Sequence, residues 1–213
     1  MKDWAPDHPK AKLMEKKRAA ILDAARTVFL RDGYEGASME GIAAAADVSI
    51  MTLYRHSESK DDLFAAVIAS ACDPSDEAEM DQWMKLMQQP LREVLVTTGV
   101  MFQERMGSAD TAALLRTVMG EVSRFPHLAE TAYRGFIGHG EEMISGILEL
   151  KVETKSLSKT ARHKLAVAFI DQLVGADMLR VLLGMGGVSK GDYRRRAERA
   201  AERLIGEIAT AEV

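Results

Sequence analysis

The 213-residue sequence predicts an all-α fold, with a three-helix helix-turn-helix domain near the N-terminus and a longer helical region after it. Three observations carry this. First, residues 37–64, ASMEGIAAAADVSIMTLYRHSESKDDLF, place hydroxyl side chains at three helix starts: Ser38 before Met39-Glu40, Ser49 before Ile50, and Ser59 with Asp62 three residues on. Such hydroxyls cap the free N–H groups of a new helix. Two short helices joined at Ala46-Asp47-Val48 and followed at once by a third form a helix-turn-helix layout, which points to DNA. Second, apolar residues elsewhere recur at helical spacing. Third, no stretch reads as a convincing strand.

Taking the elements in order, residues 1–12 hold Pro6 and Pro9 among charges and read as a flexible arm. From Met14 to Arg31, Ile21, Leu22, Ala25, Val28 and Phe29 mark one face of an amphipathic helix, and Gly33 is placed to end it. The next helix, 39–46, is rich in Ala, Ile and Gly, which permits close packing. Asp47 fills a turn position where positive φ is expected, and Val48 is expected inward. The helix from Ser49 is short and mixed, with Leu53 as its expected core residue. Asp73-Pro74-Ser75-Asp76 breaks the chain and suggests domains at 13–72 and 73–213. Beyond it, helices are expected at 76–89, from Pro90 to 106, at 109–123, from 126 past Leu148, at 158–183 and at 189–209.

Composition bounds the function. No apolar run approaches the roughly 18 residues that would span a bilayer, so no membrane partner is expected. The N-terminal MKDWAPDHPKAKLMEKKR lacks the apolar centre of a signal peptide. Cys72 is the lone cysteine, which fits a reducing cytoplasm and a small buried residue. The net charge of −4 opposes nucleic acid at first sight. Residues 1–18, however, carry six basic against three acidic side chains, a local +3. Local potential governs phosphate contact more than global charge. Residues 19–70 are net acidic, so electrostatic affinity should be modest.

The stretch Ile21 to Phe64 resembles the DNA-binding domain of the TetR family of transcriptional regulators. The marks are Ile21-Leu22-Asp23-Ala24-Ala25 with Phe29, Gly33 and Tyr34, then Ser38-Met39-Glu40-Gly41-Ile42-Ala43. Val48-Ser49, Thr52-Leu53-Tyr54-Arg55-His56, Ser59-Lys60 and Leu63-Phe64 complete it. The resemblance implies that the helix beginning at Ser49 enters the major groove, with Ile50 and Met51 at its leading edge. Apolar side chains there would favour thymine methyls. It also implies that Thr52, Tyr54, His56 and Lys60 hold phosphates, with Ser38 and its helix start at another. Tyr54 could also touch a base, and Arg55 could take guanine bidentately or track phosphate. Two positions depart from the family pattern. Asp47 stands for a usual Gly, and Ser57 for the usual aromatic after His56, which predicts looser packing at that junction.

Residues 115–133, from Leu115-Arg116-Thr117 through Arg124-Phe125-Pro126-His127 to Tyr133, resemble the C-terminal domains of AefR-like TetR regulators. That implies an effector-binding and dimerisation domain, and a homodimer through helices at about 158–184 and 189–209. A wide apolar surface including Phe169, Ile170, Leu173, Met178, Leu179 and Leu182, and the small Gly175, Ala176 and Gly184, would suit such pairing. Met101, Phe102, Arg116, Met119, Tyr133, Phe136, Met143 and Asp171 are candidates for an adaptable effector pocket, with core packing as the competing reading. No phosphate loop, nucleophile elbow or HExxH sequence is present, and the five His lack metal-ligand spacing. Neither catalysis, cofactor nor metal is therefore expected. The expected function is a ligand-responsive repressor on palindromic double-stranded DNA. The competing reading is a helical ligand-binding or scaffold protein without an operator.

Overall fold

The structure is a computed structural model that describes residues 9–70, 77–185 and 189–211. Residues 1–8 of the expected arm, Cys72 and the break at 73–76 lie outside them. Among the described residues every regular element is helical: α1 (Pro9–Gly36), α2 (Met39–Ala45), α3 (Ile50–Tyr54), α4 (Lys60–Ser70), α5 (Glu77–Met87), α6 (Leu91–Met106), α7 (Ala109–Glu121), α8 (His127–Tyr133), α9 (His139–Leu150), α10 (Lys159–Val174), α11 (Asp177–Leu182) and α12 (Lys190–Ala211). A π-helical turn at Arg134–Gly138 joins α8 to α9, and a 3₁₀ turn follows α9 at Val152–Thr154. No helix among the described residues is long and apolar enough to cross a membrane.

The chain divides into two compact units. The first comprises residues 1–71 with 116–131, and the second residues 72–115 with 132–213. This differs from a single cut at 72–73, because the end of α7 and most of α8 pack with the first unit.

In the first unit, α1 packs against α2 and α4, and α2 against α3. The face expected on α1 is the one buried: Ile21, Ala25, Val28 and Phe29 are at most 1% exposed, while Leu22 is half-buried. Phe29, Tyr34 and Phe64 form an edge-packed aromatic cluster, with Phe29–Phe64 centroids 4.9 Å apart and Tyr34–Phe64 5.3 Å. Such pairs contribute about 0.5–1.5 kcal/mol each beyond their burial. The helix starts at Pro9, earlier than expected, since a proline is tolerated in the first helical turn. At Gly33 the backbone takes φ 73, ψ 174, a conformation favouring glycine, and kinks the chain before a last turn to Gly36.

In the second unit, α6, α10 and α12 pack on one another, α10 packs on α9, and α5 on α6. At Gly99 of α6 the three helices lie close together. A Cβ there would stand 3.1 Å from Ala197 Cβ and 3.2 Å from Phe169 Cζ. The single helix expected over 158–183 is broken. Gly175 has φ 50 and ends α10, and Gly184 has φ 72 after α11. These glycines therefore make turns, where close helix approach was expected of them. Phe169, Ile170 and Leu173, assigned to the pairing surface, are buried inside this chain's own unit. Leu179 remains 59% exposed.

Candidate nucleic-acid interface

The turn between α2 and α3 is built from local chemistry. Ser38 Oγ accepts the N–H of Gly41 at 3.0 Å, capping α2. At the other end, Val48 N–H donates to Ala43 O and Asp47 N–H to Ala44 O. This is the paired C-terminal pattern of a Schellman motif, which needs a left-handed residue just past the helix. Asp47 supplies it with φ 52. Val48 is half-buried beneath it. Ser49 Oγ then accepts the N–H of Thr52 at 3.2 Å and lies 2.9 Å from the Thr52 hydroxyl.

The five residues of α3 are too few to be helical alone. Leu53, with no exposed surface, anchors the helix in the core. That fixes the opposite side outward. Met51 is 64% exposed, Tyr54 46% and Ile50 37%. Arg55 is exposed, and Thr52 and His56 are half-buried. The side chains of Tyr54, Arg55 and His56 have no protein partner among the described residues. The face therefore presents two apolar groups, a phenol, a guanidinium and an imidazole, all available to a ligand. Ser57 is buried at 7%, so the junction closes over the small residue that replaces a ring. At the start of α4, Ser59 Oγ accepts the Asp62 N–H at 3.0 Å, while its hydroxyl donates to the Asp62 carboxylate at 2.8 Å. The carboxylate thus pairs with the capping hydroxyl and does not reach back to the backbone, as a longer Glu would in a full capping box.

Lys60 stands where a phosphate contact was expected, and its ammonium is otherwise employed. Nζ donates to the carbonyls of Tyr34 at 2.8 Å, Ala37 at 3.0 Å and Glu35 at 3.3 Å. It also sits 4.5 Å from the Tyr34 ring centroid. These carbonyls lie at or just past the C-terminus of α1, where no helical N–H follows to pair them, and the lysine satisfies them. In the chain alone, all three of the ammonium's donors are thus directed at carbonyls, which compete with the expected phosphate contact.

A second group of residues was not anticipated. The segment 116–131 packs with the first unit through Glu121, Arg124, Phe125 and His127. Arg124 forms a two-pronged ion pair with Glu35, and Glu121 Oε1 accepts the Glu35 N–H at 3.3 Å. Phe125 and His127 lie edge-on to Tyr34, with centroids 5.1 and 6.0 Å away. His127 Nε2 is 3.4 Å from Asp61 Oδ2 at the start of α4. The motif Arg124-Phe125-Pro126-His127 was visible in the sequence, but nothing there assigned it to α1 and α4.

The eight expected effector residues divide between the two units. Arg116 and Met119 belong to the first unit, and Met119 is 60% exposed. In the second unit Met101 is 44% and Tyr133 58% exposed, Asp171 is also exposed, and Met143 is half-buried. Phe136 is buried in the core. Phe102 is buried too, and it borders a cleft of about 20 Å³ with Gln103, Met106, Leu173 and Tyr193. That is room for about one water. The methionine and aromatic pattern read as a pocket is thus partly core and partly surface. Tyr133 donates to Glu141 Oε1 at 3.4 Å; the Glu141 charge, with a smaller effect from Asp171, raises its phenol above the ordinary range.

A capped, core-anchored short helix with an open outer face, set after a four-residue turn, defines a helix-turn-helix DNA-binding protein. Comparison with known proteins sharpens this. Residues 21–67 match the bacterial regulatory proteins of the tetR family. Residues 93–205, more than half of the chain, match the C-terminal domain of AefR-like transcriptional repressors. The chain belongs to the TetR family of DNA-binding transcriptional regulators. An uncharacterised helix-turn-helix regulator of Mycobacterium bovis is 28% identical over 149 residues, 68% of this chain and 67% of that protein. Among solved structures, a TetR-family regulator from Mesorhizobium loti shares the fold, with a TM-score of 0.65, 20% identity, and 91% of this chain and 96% of that one covered. The flavonoid-responsive regulator FrrA aligns with a TM-score of 0.57 and 25% identity over 90% of this chain and 96% of its own.

Proposed function

We propose that this chain acts in the cytoplasm as a homodimeric repressor, released from a palindromic operator by a small-molecule effector. The observation that carries the reading is the outer face of α3. Ile50, Met51, Tyr54 and Arg55 are open to solvent on a helix whose only buried residue is Leu53. Met51 and Ile50 would meet thymine methyls and Arg55 a guanine or a phosphate. Ser38, Ser49, Thr52, Tyr54 and His56 would steady the phosphate backbone, aided by the α2 start. Lys60, bonded to the carbonyls at the end of α1, would support this surface from behind. Two copies are needed because one short helix reads too few base pairs, and their separation would match one DNA turn of about 34–36 Å.

An effector would favour a conformation with the wrong spacing and draw the population off DNA. The chain offers a route for that change. The segment 116–131 is bonded to α1 and α4 through Arg124 and His127, and it continues covalently into the second unit at both ends. The effector-responsive relative FrrA supports a small-molecule input. A gel-shift and footprinting screen against the DNA upstream of the protein's own coding region tests the reading. A protected palindrome is the expected result. Failure to retain any upstream fragment, at low salt and at concentrations above the dimerisation midpoint, would refute it.

A further inference from the structure

The second unit holds a basic cavity that neither the operator-binding surface nor the expected pocket uses. Arg180 from α11 and Arg195, Arg196 and Arg199 from α12 converge on a concavity of about 410 Å³. Its acidic residues are Asp177 and Asp192, so four guanidiniums face two carboxylates. Arg196 pairs with Asp177 and donates to the Leu173 carbonyl at 3.1 Å, and Arg195 pairs with Asp192. The Ser189 hydroxyl donates to Asp192 at 2.6 Å and, with Arg195 and Arg196 adding their charges, holds its carboxyl below the ordinary range. Both carboxylates are thus committed to arginines. The exposed side chains of Arg180 and Arg199 have no partner among the described residues.

Converging like charges repel, and Arg195 and Arg199 are neighbours at four-residue spacing on one helix, a destabilising arrangement unless an anion bridges them. Guanidiniums recognise phosphate and carboxylate through forked hydrogen bonds. The excess of two positive charges matches a dianion. The volume lies within the range of small-molecule sites. The adjoining apolar cleft shares Asp177 and Arg196 with the basin but measures only about 20 Å³, so the ligand is a compact polar one without a large apolar tail.

We propose that the basin formed by Arg180, Arg195, Arg196 and Arg199 binds a small dianion, either a phosphate or a dicarboxylate. The proposal concerns ligand binding alone and stands whether or not the chain holds an operator. The test is calorimetric titration of the full chain with inorganic phosphate and with succinate, against chloride at matched ionic strength. At least one dianion should saturate one site per chain, and chloride should not. Preference for phosphate or for succinate assigns the head group. Arg180→Gln with Arg199→Gln should weaken binding about tenfold or more, with circular dichroism and sedimentation unchanged. Absence of saturable binding by both dianions overturns the proposal, as does equal affinity in the double variant. A double variant that changes oligomeric state also overturns it, because the guanidiniums then serve a second copy of the chain.

Discussion

Replacing Lys60 by methionine separates two roles that one residue can play in such a domain. Methionine keeps the aliphatic stem and removes the ammonium. Three carbonyls, at 2.8, 3.0 and 3.3 Å, then lose their donor. Two belong to Tyr34 and Ala37, which are 3% and 4% exposed and regain water poorly. A hydrogen bond to a charged group contributes about 1.5–3 kcal/mol. Three share one half-exposed ammonium here, so their joint loss is set at about 2 kcal/mol. The Tyr34 ring contact adds about 0.5–1 kcal/mol. Lys60→Met should therefore cost about 2–3 kcal/mol, or roughly 5–10 °C in Tm for a chain of this size. Denaturant unfolding at fixed protomer concentration measures it, and operator affinity as a function of salt completes the assay. The logarithmic salt slope should stay the same. Stability within about 0.5 kcal/mol of wild type, with a slope shallower by about 0.9 per lost contact, would restore Lys60 to the phosphate backbone and refute the structural role.

Substitutions at three other positions probe separate features. Asp47→Gly relieves a left-handed residue at φ 52 and should raise stability by about 0.5–1 kcal/mol, seen as a higher denaturation midpoint; Asp47→Val should lower it. Met51→Ala removes an exposed side chain, so stability should stay within about 0.5 kcal/mol while a binding-site selection loses its preference for thymine at the contacted positions. Gly140→Ala places a Cβ 2.8 Å from Phe102 Cε2 and 3.2 Å from Ile170 Cδ1. It should cost about 1–3 kcal/mol through overpacking without altering the operator sequence selected.

What was legible in the sequence is what short-range chemistry decides. Ser38, Ser49 and Ser59 cap helices that begin one residue later, and the positive φ at Asp47 follows from a turn of fixed length. The apolar spacing on α1 selected the right face because a helix has one core to meet. Long-range meetings were not legible. Lys60 is a basic residue at a helix start, and its sequence neighbourhood says nothing of the carbonyls left bare where α1 ends at Gly36. Arg124 and His127 look like surface charges until Glu35 and Asp61 arrive beside them. The methionine and aromatic pattern shows a related limit of spacing: it gives a direction about an axis but not what lies in that direction. At Gly175 a single positive φ outweighed the apolar run that crosses it.

The backbone at Gly33 has a consequence for how this chain can change by descent. A Cβ at that position would stand 3.0 Å from Glu121 Oε1, the same oxygen that accepts the Glu35 N–H across 86 residues of chain. A side chain at 33 and a carboxylate at 121 compete for one volume, and the bare backbone amide at 35 gains from the carboxylate's presence. Mutations at these two distant codons therefore cannot be judged singly. A lineage that loses the glycine is expected to shorten the residue at 121 as well, and pairwise covariation between the two positions would record it.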